Sequence, residues 1–411
     1  MQKRDIRLQT INMRRSFIIA AIVIVLAGIG VFAYFYFFSS RADLTVAPEG
    51  SAGFPVAGQG ALFPDGSSAP AGAATAPVAV SARLVKISSG PVVPGIVAAN
   101  LPAPNASSSP GVSIRYIERQ SGNIFSYSAQ ARATTRTSNK TIPGIQSAAW
   151  LPDASAAFVR YLSGDDSSTI NTYTLLADGS GGSFLPQNLA DIAVSKASVL
   201  TLASGANGSV ASLRRPDGSR ALELFTTPLS AVHVSFAGTS SYLAYTKPSA
   251  TLEGYAFLVN AAGRFSRVVG PLRGLVALAS PSGKWIMVSY TTDSTMKLEL
   301  VNAATGEIVP LPVATIADKC VWAADDTALY CGIPVSPASE YTYPDDWYQG
   351  AAHFNDRIWK IDVASRYTQL ILDFSNEAGD SLDATALALD PLGTTLVFVN
   401  KNDGSLWSYQ L

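Results

Sequence analysis

Apolar and polar positions alternate in short runs along most of this chain. One phrase recurs: an apolar run, a small turn of Pro, Ala, Gly, Ser or Asp, then a second apolar run. It reads Trp150-Leu151-Pro152-Asp153 ahead of Phe158 and Val159, then Ser235 to Leu243 around Gly238. It returns as Ser280-Pro281-Ser282-Gly283 ahead of Trp285, as Trp322 to Tyr330 around Asp325 and Asp326, and as Asp390-Pro391-Leu392-Gly393 ahead of Leu396. A degenerate copy covers Val194 to Leu200. Alternation with period two predicts half-buried strands. Short strands grouped in units of about 40–45 residues predict a β-propeller.

Counting units fixes the size of the ring. Strands expected at Val92–Ala98, Val112–Glu118, Asn123–Ser128 and Thr134–Thr141 make a first blade. Further units begin near residues 146, 190, 231, 275 and 318. The last unit shows three strands, Ala384–Leu389, Thr395–Asn400 and Ser405–Leu411. An orphan strand at residues 83–87 supplies the fourth and leaves no open edge. The expectation is an all-β, seven-bladed propeller of four-stranded antiparallel blades over residues 82–411.

The turn after the first strand of each unit, as in Pro152-Asp153 and Pro281-Ser282-Gly283-Lys284-Trp285, resembles the repeat of TolB-type propellers. The His and Trp-Asp marks of WD-repeat proteins are missing. The resemblance covers residues 83–411. It implies the propeller fold and, by analogy with bacterial membrane-anchored propellers, a surface or periplasmic binding module.

The amino-terminal part breaks the pattern. Residues 17–38 are an uncharged apolar run that would span about 33 Å as a helix, the thickness of a bilayer core. The run ends in Tyr34, Phe35, Tyr36, Phe37 and Phe38, which suit a membrane interface better than a peptidase site. Lys3, Arg4, Arg7, Arg14 and Arg15 precede it, against Asp5 alone. That bias keeps a cytoplasmic tail at residues 1–16 inside and places the rest beyond the inner membrane. Residues 39–81 are rich in Ala, Gly, Pro and Ser and show neither period, so a flexible linker is expected there.

Net charge is −1 for the whole chain, which leaves the body mildly acidic once the basic tail is set aside. Such a body lacks the basic footprint of a nucleic-acid binder. Only two histidines and two cysteines occur. The chain has no Gly-x-Ser-x-Gly elbow, no HExxH, no phosphate loop and no dinucleotide fingerprint. No cofactor is expected. The expectation is a non-enzymatic binding or scaffold module whose partner is a protein or a cell-envelope glycan. The alternative is a hydrolytic or glycan-active enzyme using acids such as Asp165, Asp166, Asp325, Asp326 and Asp345 at the channel mouth.

One step of the repeat is too long. Between the strands Ala328–Ile333 and Arg357–Asp362 lies an insertion, residues 334–356. It carries Tyr341, Tyr343, Asp345, Asp346, Trp347, Tyr348 and His353. Loops joining second and third strands lie at the channel mouth, and long loops in compact domains tend to be functional. Aromatic rings with polar tips suit sugar or peptide recognition, so these seven are the candidate ligand contacts. The other reading is that the rings pack down and plug the channel. Glu340, Asp345, Asp346 and His353 offer metal donors, but their spacing matches no calcium loop and no metal is expected.

Cys320 and Cys331 flank the Ala324–Thr327 turn. A hairpin centred between Asp325 and Asp326 puts them opposite each other, and oxidation outside the cytoplasm makes a disulfide; otherwise they are two small buried thiols. Trp150, Trp285, Trp322, Trp359 and Trp407 read as packing between blades. His233, between Val232 and Val234, reads as a satisfied core or channel-facing group rather than a catalyst.

Overall fold

The computed structural model describes residues 76–101, 111–139, 142–164, 167–293 and 295–411. The expected cytoplasmic tail, the apolar run 17–38 and most of the linker lie outside the described residues, as do Asp165 and Asp166. Among the described residues no helix is long and apolar enough to cross a membrane.

Seven antiparallel sheets follow one another along the chain, each with its first strand innermost. Blade 1 comprises Val97–Leu101, Gly111–Ile117, Ile124–Ser128 and Ala133–Arg136. Its first strand starts later than expected. Pro91, Pro94 and Gly95 interrupt the run, and Val92 makes only an isolated bridge to Glu118. Gly95 has φ +104°, and a Cβ there would stand 1.8 Å from the Ala148 carbonyl oxygen. Glycine therefore permits blade 1 to lie against blade 2 at this point.

Blade 2 holds three strands, Ile145–Trp150, Ala156–Ser163 and Thr169–Leu176. Its expected fourth strand is reduced to a bridge between Tyr173 and Phe184. Gly181 and Gly182, both at positive φ, and Pro186 break the ladder there. The exposed edge is still partly satisfied: Thr174 N–H donates to Ser183 and Leu185 N–H to Thr172.

Blades 3 to 6 each have four strands in sequence order. Their inner strands are Leu189–Val194, Val232–Ala237, Val276–Ala279 and Cys320–Trp322. Blade 7 runs Ala384–Leu389, Thr395–Asn400, Leu406–Gln410 and then Leu84–Lys86 from the other end of the propeller. Leu84, Val85 and Lys86 pair with Tyr409, Ser408 and Trp407. The closure expected for residues 83–87 is thus present. Val78–Ala79 adds a fifth strand on its outside, within the segment read as linker.

The core is a ring of apolar layers between neighbouring blades. Blades 1 and 2 share Ile117, Ile124, Trp150 and Val159. Blades 2 and 3 share Phe158, Leu189 and Val199. Blades 3 and 4 share Leu202, Val234 and Tyr242. Blades 4, 5 and 6 share Leu243, Val288 and Leu329. Blades 6 and 7 share Ile358, Phe398 and Tyr409, and blades 7 and 1 share Val397, Ile114 and Tyr127. Every blade therefore buries both faces, which a single four-stranded sheet does not achieve alone. Of the expected packing tryptophans, Trp150, Trp322 and Trp407 are buried.

Many hairpin turns use one device: an Asp accepts from the backbone N–H two or three residues on. Asp153 does so with Ser155, Asp178 with Ser180, Asp217 with Ser219, Asp325 with Thr327, and Asp403 with Ser405. These Asx turns satisfy backbone donors that the strands leave free. They account for many of the acids that punctuate the sequence.

Candidate functional site

The insertion leaves blade 6 after Ala328–Pro334 and returns at Asp356–Asp362. It is built around a short helix, α1 (Asp345–Gln349). Gly350 ends α1 at φ 80°, a left-handed stop that suits glycine. Asp346 accepts from the Thr342 N–H at 2.6 Å and fixes the entry to the helix.

The insertion lies across blade 5 and reaches blade 4. The Asp345 carboxylate accepts from Ala250 N–H at 3.0 Å. Thr291 Oγ1 donates to the Tyr343 carbonyl at 3.0 Å. Gly274 sits beneath this crossing with φ +65°, and a Cβ there would come within 2.9 Å of Pro344 Cδ. A side chain at 274 would lift the insertion off the blade.

The rings of the insertion divide by role. Tyr343, Trp347 and Phe354 are buried in the apolar layer of blades 4 to 6. They pack because the extra chain brings its own apolar side chains over the end of the sheet, where bare strand ends would otherwise meet water. Tyr341 packs partly against this layer, with its ring centroid 6.4 Å from that of Tyr343. Asp346 is spent on its turn. His353 is exposed and does not line the cavity described next. Asp345 and Tyr348 do line it.

That cavity, of about 630 Å³, opens at the channel mouth between blade 4 and the insertion. Its chemistry comes from Asp345, Tyr348, His233, Tyr245, Lys247 and Asp318. His233 stands on the inner strand of blade 4, and its Nδ1 lies 3.2 Å from Asp191 Oδ2 on the inner strand of blade 3. Asp191 also accepts from Val234 N–H at 2.9 Å. With Nδ1 engaged, Nε2 is the ring nitrogen left for a ligand. The Tyr245 ring stacks on the imidazole at 5.2 Å.

Asp318 comes from a 3₁₀ turn, Ala317–Lys319, just ahead of blade 6. Its carboxylate accepts from the Tyr348 hydroxyl at 2.6 Å. Water reaches Asp318 through the cavity, yet protein surrounds it closely. That enclosure pushes its carboxyl upward, against the Tyr348 hydrogen bond and the charge of His233, which pull it down. Burial alone would depress His233. The hydrogen bond and charge of Asp191, followed by the charge of Asp318, outweigh it, and the net shift is upward. Burial and then the charge of Asp318 hold the Tyr245 hydroxyl well above the ordinary phenol value; the Tyr348 hydroxyl is raised in the same way at its enclosed end, although the residue is 41% exposed at the mouth. Both phenols therefore remain protonated at neutral pH. The mouth holds an imidazole hydrogen-bonded to one carboxylate, Asp191, and lining a cavity that a second, Asp318, also lines, a combination able to accept and return a proton or to take hydrogen-bond donors from a ligand.

The other acids considered from sequence lie elsewhere. Asp325 caps its own turn, and Asp326 accepts from Ser280 Oγ at 2.7 Å and from Ser282 N–H at 3.1 Å. Both stand on the one turn between the first and second strands of blade 6, at the face opposite the insertion. An acid pair at the mouth cannot include them. Among the described residues, no group of three or more His, Cys, Asp or Glu is arranged to hold a metal ion.

Cys320 and Cys331 face each other across the first two strands of blade 6 and are joined as a disulfide. Their bridge lies directly after the Ala317–Lys319 turn and ties the inner strand to its neighbour below the mouth.

Sequence reasoning placed Tyr348 and Asp345 at the mouth but missed Asp191, Tyr245, Lys247 and Asp318. These come from three different blades and share no local motif. His233 was visible only as a lone histidine with a channel-facing option.

No family model matches the chain, and no curated protein matches it. Solved structures do match. An oligogalacturonate lyase in complex with manganese aligns with TM-score 0.56 and 9% identity, over 82% of this chain and 95% of that one. The β-propeller domain of the Trilobed protease from Pyrococcus furiosus aligns with TM-score 0.50 and 8% identity, over 78% and 93%. That domain is described as having an open velcro topology, whereas here Leu84–Lys86 closes blade 7. TolB from Acinetobacter baumannii is also matched, at TM-score 0.43 and 9% identity, over 77% and 79%. At such identities the likeness speaks for the fold alone. The chain is a seven-bladed β-propeller.

Proposed function

We propose that this chain is a membrane-tethered propeller, displayed outside the cytoplasm, that binds a protein or envelope-glycan partner at the insertion-bearing channel mouth. One observation carries the reading. The mouth encloses a cavity in the size range of ligand sites, with polar groups converging beside the exposed edge of Tyr348. Lys247 and His233 supply donors from blade 4, and Asp318 and Asp345 supply acceptors from blade 6. A partner must therefore present both kinds of group. The tether is carried by the apolar run 17–38 and its basic flank. A mature amino terminus at Ser39 or Arg41 would replace the anchor with a cleaved signal.

The test uses the full chain as bait for crosslinked capture from its native envelope. Tyr348→Ala and Lys247→Ser should each abolish recovery of a partner that the parent chain holds. Equal recovery by all three would remove the mouth from the binding site.

A second reading follows from the Asp191–His233 pair, an oriented imidazole in a cavity. It makes the chain an enzyme acting on envelope polymers. Turnover by the full chain that disappears in His233→Gln would favour it. The substrates screened include oligogalacturonate, the polymer named in one matched structure.

A further inference from the structure

Two pairs of chain neighbours meet beneath the mouth. Asp318 precedes Lys319 in the 3₁₀ turn, and Trp347 precedes Tyr348 in α1. The outer members, Asp318 and Tyr348, bond to each other in the cavity. The inner members, Lys319 and Trp347, are both buried, and both reach the same carboxylate. Lys319 Nζ donates to Asp383 Oδ1, and Trp347 Nε1 donates to Asp383 Oδ2 at 2.9 Å. Asp383 also accepts from Phe354 N–H at 3.0 Å, so it grips the insertion at two points. It is fully buried at the start of blade 7 and does not line the cavity.

The surroundings fix Lys319 from other directions. Its Nζ lies 2.7 Å from Asp356 Oδ2 and donates to the Ala384 carbonyl at 2.9 Å. The Trp347 and Phe354 rings each stand 5.1 Å from the ammonium. Lys401 Nζ also lies over the Trp347 ring, 5.0 Å from its centroid. An ammonium with this many fixed partners has little rotational freedom. The turn that carries it, and therefore Asp318, has as little.

We propose that Asp383 is a positioning residue for the mouth: by holding Lys319 and Trp347 in the core it sets Asp318 and Tyr348 against each other in the cavity that His233 also lines. The functional meaning of this cluster rests on the mouth being the working site. Its physical content does not depend on any ligand. A buried ion cluster is a poor source of stability compared with apolar packing, while breaking one is costly. Fixing a neighbouring site is a use that matches the arrangement of these two dipeptides.

The readout is the titration of His233, whose charge is sustained in part by Asp318. Neutral imidazole reacts with diethylpyrocarbonate, so the modification rate against pH reports its pKa. The full chain is used, and peptide mass spectrometry separates His233 from His353. The exposed His353 calibrates the reagent in every variant. Asp318→Asn should move the His233 profile to lower pH. Trp347→Phe keeps the buried ring and every charge but removes the donor to Asp383. It should move the profile in the same direction, as should Asp383→Asn. Should Asp383→Asn fail to fold, Trp347→Phe carries the test alone. Wild-type His233 profiles in folded Trp347→Phe and Asp383→Asn, beside a shifted Asp318→Asn, would overturn the proposal. An unshifted Asp318→Asn would overturn it as well. Because no partner is involved, failed capture with shifted profiles removes only the binding reading and leaves the positioning intact.

Discussion

Leu84 lies directly opposite Tyr409 in blade 7, so residues from the two ends of the propeller close the ring. Leu84 is fully buried in the layer between blades 6 and 7, beside Phe398 and Tyr409. Leu84→Ala removes apolar contacts at the one seam with no covalent continuity and should cost about 2–5 kcal/mol in denaturant unfolding. Leu84→Asp goes further, because a buried unpaired charge expels the strand. The edge Leu406–Gln410 is then open to other chains. We expect concentration-dependent association and cleavage near residue 88 in limited proteolysis. A monomeric, protease-resistant Leu84→Asp chain would show that closure at this seam is dispensable.

The disulfide makes a direct chemical prediction. In denaturant without reductant the chain should show no free thiol, and after reduction two. Its loop is short, with a sequence separation of 11. Replacing both cysteines by Ala should lower stability by roughly 2–3 kcal/mol. Two reactive thiols before reduction would contradict the bridge.

Trp347 is a core residue of the insertion. Trp347→Ala deletes a large buried ring and strips a donor from Asp383. The expected loss is about 3–5 kcal/mol, with Trp347→Phe much milder because the volume is largely kept. Equal unfolding midpoints for the parent chain and Trp347→Ala would mean that the insertion does not pack on the blade.

Asp356 predicts an unusual pH dependence. Burial pushes its carboxyl up to about 6, with the charge of Lys319 pulling down and that of Asp383 pushing up. A carboxyl whose folded pKa exceeds its unfolded value, about 4, binds its proton more readily in the folded chain across that window. Its ionisation therefore opposes folding above about pH 6, and the penalty is relieved as pH falls toward 4. The surface Asx-turn carboxylates Asp153, Asp325 and Asp362 act in the opposite sense, because hydrogen bonds from the following Ser or Thr lower their pKa. Comparison with Asp356→Asn separates the two. The stability of the parent chain relative to this variant should improve by an amount on the order of a few kcal/mol between pH 7 and pH 4. A difference that stays flat across that range would place the Asp356 titration elsewhere.

Much of the architecture was legible in the sequence, because a propeller is written locally. Each blade is a run of alternating apolar positions closed by small turns, and the repeat length gives the blade count. The closing strand was legible for the same reason: Arg83–Ile87 is one alternating run too many at one end, and the last unit is one too few at the other. That Cys320 and Cys331 stand opposite each other followed from hairpin register, and the structure has that register and the bond. Blade 2 was misjudged in its fourth strand because Gly181, Gly182 and Pro186 weaken a ladder without erasing the repeat.

The site was legible only as an irregularity. The long step of the repeat marked where the insertion lies and that its rings matter, but not which rings. Tyr343 and Trp347 are adjacent in kind to Tyr348 and lie within five residues of it, yet they point into the core. That choice is made by where blade 5 offers an apolar surface and where Asp383 waits for a donor. Asp191, His233 and Asp318 come from blades 3, 4 and 6, and their meeting depends on ring closure and on the path of the insertion over Gly274. Local patterning determined most of the strands, the number of blades and the ring, because strand formation and turn chemistry act between near neighbours. The tertiary structure alone decided the chemistry of the mouth, because electrostatic and packing contacts there join residues that no sequence period relates.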